Sequence, residues 1–195
     1  MTPAHLTTVH LFAKFPAPGR VKTRLIPALG AAGAAMLHRR LTERTVDAMR
    51  TSGLPFAVRT SGADASAFAE WLGDDVPLIE QGGGDLGARM GRAAAPAVLL
   101  GADVPDLSAA HIRAAAEAIE TAPVAIGPAE DGGYYAVAFA QPLPFLWTDM
   151  DWGTDRVLAE TLRRLETERI DPVMLEPLAD CDRPEDLERW PWLTR

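Results

Sequence analysis

A chain of 195 residues, 48% hydrophobic and 24% charged, is long enough to bury a core without disulfides, and its composition excludes wholesale disorder. A formal net charge of -8 excludes the broad basic face with which nucleic-acid binders displace counterions, although a local group of cations can still serve a small phosphate ligand. The single cysteine, Cys181, excludes an internal disulfide framework. No apolar stretch approaches the roughly 18 residues of a membrane span, and no leader pattern opens the chain, so a cytoplasmic protein with no membrane partner is expected.

Short apolar runs alternate with longer amphipathic segments, the pattern of a mainly parallel sheet covered by helices. Glycine and proline gather after the strands, with no linker between two halves, so one domain over residues 1–195 is expected. In such sheets ligands sit beyond the carboxyl ends of the strands, which directs attention to the loops there.

The first strand, Val9–Ala13, runs into a loop that places Lys14, Arg20, Lys22 and Arg24 within eleven residues. This is a local anion trap in an acidic chain: Gly19 lets backbone N–H groups approach a ligand, and the cations neutralise phosphate oxygens. Lys14, Gly19, Arg20, Lys22, Thr23 and Arg24 are therefore candidate phosphate binders, although Gly19-x-x-Lys22-Thr23 lacks the first glycine of a P-loop. The other reading is a solvated basic loop. Leu37, Leu41 and Ala48 share a helical face behind it, and strands follow at Phe56–Arg59 and Pro77–Glu80.

After the third strand, Gly82-x-Gly84-x-x-Gly87 reads literally as a dinucleotide-binding fingerprint, with Asp103 near the spacing of its ribose-binding acid. That would make the chain an oxidoreductase or sensor. It leaves the basic loop and the acidic C-terminal segment unexplained, so we rank it below a reading built on those two features. The same loop, through Gly84, Asp85 and Arg89, can hold a nucleobase or ribose, or its glycines only make a tight turn.

The apolar strand Ala97–Gly101 ends in Ala102-Asp103-Val104-Pro105-Asp106. A carboxylate there can hold a hard divalent cation that also binds phosphate, and Asp103 is the first choice. Asp106 is read as the start or cap of the next helix, with Ser108 also a plausible N-cap. Magnesium takes one or two carboxylates with phosphate and water, so a second acid is sought among Asp131, Asp180 and Asp182. Between strands at Val124–Gly127 and Tyr134–Phe139, Glu130-Asp131-Gly132-Gly133-Tyr134-Tyr135 either lines an acceptor pocket or is a plain Asp-Gly hairpin turn. Trp152 either walls that pocket or is buried for its area, with the latter favoured. Val157, Leu158, Thr161, Leu162 and Leu165 form a last helical stripe, and Asp180-Cys181-Asp182 precedes an acidic helix start.

Five ordered segments carry a resemblance: Phe12-Ala-Lys-x-Pro-x-Pro-Gly-x-Val-Lys-Thr-Arg-Leu25, Gly84-Asp-Leu-Gly-x-Arg-Met90, Gly101-x-Asp-x-Pro-Asp-Leu107, Gly127-Pro-Ala-Glu-Asp-Gly-Gly-Tyr134 and Asp182-x-Pro-Glu-Asp-Leu187. Over nearly its whole length the chain resembles the bacterial rSAM/selenodomain-associated transferase 1 family, within the nucleotide-diphospho-sugar transferase (GT-A) superfamily. The resemblance implies a three-layer αβα GT-A fold with a mostly parallel mixed sheet. It also implies Mg2+ or Mn2+ held by Asp103 and Asp182, a nucleotide or nucleotide-sugar donor, and a small-molecule acceptor. Lys22 and Asp131 become the candidate catalytic residues, and Gly132, Gly133, Tyr134 and Trp152 the candidate acceptor wall. Prolines stand where superfamily nucleotidyltransferases carry a Gly-x-Gly-x-Arg run, so glycosyl transfer is the first expectation. Guanylyl or cytidylyl transfer releasing pyrophosphate is the alternative.

Overall fold

The central strands are apolar on both faces, which forces helices onto both sides of the sheet. The computed structural model describes residues 6–194. Its strands are β1 (Thr8–Lys14), β2 (Phe56–Ser61), β3 (Leu78–Glu80), β4 (Ala97–Leu100), β5 (Val124–Pro128), β6 (Tyr134–Phe139) and β7 (Val173–Met174). They make one sheet in the order β3-β2-β1-β4-β6-β5-β7. Strand β6 pairs antiparallel with β4 and β5, and every other neighbouring pair is parallel.

Alternation along the strands separates two layers. Val9, Leu11, Val58, Val98 and Leu100 face a cluster completed by α1 (Ile26–Ser52), α2 (Ala65–Leu72) and α4 (Ala109–Thr121). Leu99, Ile126, Val137 and Phe139 face the opposite layer, built from α3 (Leu86–Met90), the 3-10 turn Pro144–Leu146 and α5 (Val157–Thr167). A third cluster packs the outer side of α1, through Leu37 and Leu41, against Cys181, Trp190 and Leu193 of the C-terminal segment. The expected three-layer αβα arrangement with a mostly parallel mixed sheet is therefore what this chain adopts. No helix among the described residues is long and apolar enough to cross a membrane.

Six strands lie where the apolar runs put them, with ends shifted by a residue or two. Strand β7 escaped notice because its residues are exposed, leaving no buried alternation to read. Ser108 opens α4 as expected, its backbone N–H donating to His111 Nδ1 at 3.1 Å. Asp106 does not cap that helix: its carboxylate accepts the Trp190 indole N–H instead, at 2.9 Å.

The dinucleotide fingerprint is overturned by topology. In a dinucleotide-binding unit the glycine loop opens a full crossover helix leading to the adjacent parallel strand, whose end carries the ribose-binding acid. Here β3 lies at the sheet edge, separated by β2 and β1 from the β4 that carries Asp103, and α3 has only five residues. Gly87 serves packing instead, because a Cβ there would overlap the Trp147 carbonyl oxygen.

Candidate active site

Three loops leave the carboxyl edge of the parallel strands: residues 15–25 after β1, 81–85 after β3 and 101–108 after β4. The first is fastened at its root, where buried His38 of α1 donates from Nε2 to the Lys14 carbonyl at 2.9 Å. Burial lowers the His38 pKa, consistent with a neutral ring in that donor role.

The second loop is fastened by its carbonyls. Buried Gln81 donates from Nε2 to the ends of β1 and β2, at Ala13 O (3.2 Å) and Arg59 O (2.8 Å). Arg92 binds Gln81 O and Gly83 O at 2.9 and 2.7 Å, and Arg89 Nε binds Gly84 O at 2.9 Å. Asp85 caps α3, accepting from Ala88 N at 2.8 Å. Asp85 and Arg89 are thus hydrogen-bonded within their own loop.

Lys22 is the pivot. Its backbone is left-handed, with φ 45°, an uncommon conformation for a residue with a Cβ. Its side chain is 3% exposed, and Nζ donates to Cys181 O at 2.6 Å while pairing with Asp103 Oδ1 at 2.8 Å and Asp182 Oδ1 at 3.4 Å. An ammonium has three N–H donors, and here each has an acceptor. Burial works against its charge, but the Asp103 and Asp182 carboxylates outweigh it and raise the pKa. Lys22 was expected to face phosphate; the structure corrects this, turning it inward between two acids.

Asp103 and Asp182, far apart in sequence, therefore meet across one ammonium. The Asp103 side chain is 52% exposed, yet enclosed enough for desolvation to push its carboxyl up. The Lys22 charge outweighs this and holds Asp103 below the usual carboxylate range. Asp182 also pairs through Oδ2 with Arg24 Nη1 at 2.6 Å. The two carboxylates leave oxygen lone pairs free toward solvent. That donor chemistry fits a hard divalent cation completed by phosphate and water. Among the described residues no cluster of three or more His, Cys, Asp or Glu side chains could hold a metal unaided.

Beside these acids lies a cavity of about 340 Å³ at the carboxyl edge. Asp103, Asp182 and Arg24 line one side, Asp131, Gly133, Tyr134 and Trp152 the other. Its floor includes Phe12, Leu86, Met90 and Leu99. Of the basic loop, Arg24 lines this cavity, whereas Lys14, Gly19, Arg20 and Thr23 are exposed beside it; Lys14 Nζ donates to the Arg20 carbonyl at 2.9 Å.

The Ala129–Gly133 segment is both a hairpin turn and part of the wall. Asp131 Oδ1 accepts from Gly133 N at 2.8 Å, which shapes the turn, and the residue still faces the cavity. Gly132 does not: it has φ +87° and packs against the Asp155 carbonyl, and this corrects its place in the wall. Burial pushes the Tyr134 phenol up, and its hydroxyl lies on the side of Thr161 and Arg164. Trp152 lines the cavity and also packs into the second core layer, with its indole N–H buried. Asp180 also faces the cavity, its carboxyl pushed up to about 6 by burial and then by the nearby Asp131 charge. Leu86 and Met90 were not foreseen, although their i, i+4 spacing places both on one face of α3.

Comparison with known proteins agrees with this fold. The family model described as an uncharacterized protein conserved in bacteria (DUF2064) matches residues 45–154. A Desulfovibrio desulfuricans G20 protein assigned as a nucleotide-diphospho-sugar transferase superposes with TM-score 0.84 and 29% identity, over 91% of this chain and 82% of that one. A Methanothermobacter nucleotidyl transferase superposes with TM-score 0.63 and 20% identity over 95% of each chain. A glucosyl-3-phosphoglycerate synthase of Mycobacterium tuberculosis, solved with Mn2+, UDP and phosphoglyceric acid, superposes with TM-score 0.57 and 14% identity over 98% of this chain and 76% of that one. The last two establish a shared fold. In sequence, the chain matches no curated protein.

Proposed function

The chain belongs to the bacterial DUF2064 family, and we propose that it is a divalent-metal-dependent transferase that moves a glycosyl group from a nucleotide sugar to a small-molecule acceptor. The observation that carries this reading is the meeting of Asp103 and Asp182 around Lys22 at the mouth of an apolar-floored cavity. Mg2+ or Mn2+, when bound by Asp103 and Asp182, would neutralise charge on the donor's diphosphate.

The residues of the chain supply the rest by positioning and electrostatics. Lys22 keeps the two acids together and ionised. Arg24, at the cavity wall, faces the leaving diphosphate, and exposed Lys14, Arg20 and Thr23 with Gly19 draw it in from solvent. The Gly82–Gly84 stretch, with the Gly83 and Gly84 carbonyls bonded to Arg92 and Arg89, offers bare backbone to the nucleoside. Asp131 orients the acceptor hydroxyl and takes its proton, with Gly133, Tyr134 and Trp152 enclosing the acceptor.

Nucleotidyl transfer is the second reading, favoured by the superposition on a nucleotidyl transfer enzyme across 95% of each chain. The leaving group separates the two: attack at a sugar carbon releases a nucleoside diphosphate, attack at an α-phosphate releases pyrophosphate. A thermal-shift screen of nucleotide sugars and nucleoside triphosphates with and without Mn2+ finds the donor, because a ligand of the native state raises its melting temperature. Phosphate-product analysis then assigns the chemistry. A chain stabilised by no nucleotide in the presence of Mn2+ would refute both readings.

A further inference from the structure

Asp182 sits in a stretch that no strand carries: between the isolated bridge at Leu178 and the 3-10 turn Pro184–Arg189, the backbone is irregular. Its place beside Asp103 has to come from discrete contacts. Two join the Asp103 and Asp182 segments directly at the acids, namely the Cys181 N–H donated to Asp103 O at 2.8 Å and the Lys22 bridge. A cation bound at the free oxygens of the carboxylates repels the Lys22 ammonium, so contacts beyond that bridge must share in holding the loaded site.

A third contact stands apart from the cavity. Trp190 Nε1 donates to Asp106 Oδ2 at 2.9 Å, joining the loop of Asp103 to the turn that follows Asp182. The turn is in turn tied to Asp182, because Asp186 Oδ2 accepts from the backbone N–H groups of Asp182 and Arg183 at 2.9 and 2.7 Å. Both ends refer to the same rigid element. The Trp190 ring, 4% exposed, packs with Leu37 and Leu41 of α1, while Arg44 of α1 binds Pro105 O at 3.3 and 3.2 Å and lies 4.5 Å from the Trp192 ring centroid.

We infer that Asp106 and Trp190 are positioning residues whose hydrogen bond sets the separation of Asp103 and Asp182. The inference rests on the proposed metal-and-diphosphate role of those two acids for its functional meaning, and on geometry alone for the placement. Outer partners that hold ligands in place typically govern about 10–100-fold in metal affinity, and this link has the form of such a partner.

Trp190→Phe removes the donor and keeps the ring; Asp106→Ala removes the acceptor; Asp106→Asn keeps an acceptor oxygen. Amide hydrogen exchange across residues 179–186 and Mn2+ titration are read on the whole chain. Trp190→Phe and Asp106→Ala should each speed exchange at Cys181 and Asp182 by about fivefold, the size of one hydrogen bond. Each should weaken Mn2+ binding by about tenfold, with the double variant no worse than either and Asp106→Asn close to wild type. Unchanged exchange in Trp190→Phe, or exchange that rises equally throughout the chain, overturns the inference. A wild-type chain that takes up no Mn2+ overturns the metal role instead, and the exchange arm then still decides whether the link places Asp182.

Discussion

Position 22 shows how far a residue's role depends on partners remote in sequence. The cation cluster after β1 is plain in the sequence, but the inward turn of Lys22 depends on Cys181, 159 residues away, which no local pattern encodes. Removing one partner of a buried pair costs about 3–5 kcal/mol, and the half-exposed Asp103 reduces this, so Lys22→Met should lose about 2 kcal/mol in urea unfolding. Asp103→Asn should abolish the Mn2+-dependent thermal shift and cut turnover by more than about 100-fold, since outer partners alone reach that figure. Two titrations oppose each other below neutrality. His10, its pKa lowered to about 4 by burial and then by Arg59, takes a proton more readily when unfolded, so its contribution is lost as pH falls from about 6.5 toward 4. Asp180, raised to about 6, keeps its proton longer when folded, so its contribution is lost as pH rises from about 4 toward 6. Relative to wild type, the unfolding free energy of Asp180→Asn should therefore fall more steeply between pH 6.5 and 4, and that of His10→Leu less steeply.

At the scale of elements, what was legible follows the strength of the local signal. Strand β4 is buried at every residue and reads as an apolar run, so Asp103 could be placed at its end from sequence alone. Strand β7 has two exposed residues and α3 is a single short turn, so neither leaves a period to detect. The cavity floor at Leu86 and Met90 was hidden for that reason, and the Gly-rich run before it was open to a false fingerprint. Close packing of α3 explains Gly87 better than ligand approach does. A methyl there meets the Trp147 backbone, which has no rotamer with which to yield. Gly87→Ala should accordingly lose about 3 kcal/mol in urea unfolding, the upper part of the usual overpacking range. Gly83→Ala, with open space around its Cβ position, should stay within about 1 kcal/mol of wild type.

At the scale of the whole molecule, apolar alternation gave the fold class, whereas the strand order β3-β2-β1-β4-β6-β5-β7 and the convergence of the C-terminal segment on the β4 loop rest on long-range packing. Mn2+ with the preferred nucleotide sugar should raise the melting temperature, and EDTA should return it to the ligand-free value. The reversal at β6 bears on how the molecule forms. β5 and β6 are joined by the five-residue turn Ala129–Gly133, whereas β1 with β2 and β2 with β3 are joined through helices, and β4 meets β6 only after β5 has intervened. Closing that hairpin costs little chain entropy, so it is the natural place for structure to nucleate. Val137→Ala, opposite Ile126 in the hairpin register, should slow refolding nearly in proportion to its loss of stability, while Leu11→Ala in β1 should act mainly by speeding unfolding. The cavity wall at Asp131 and Gly133 would then be drawn up before the sheet that supports its other side.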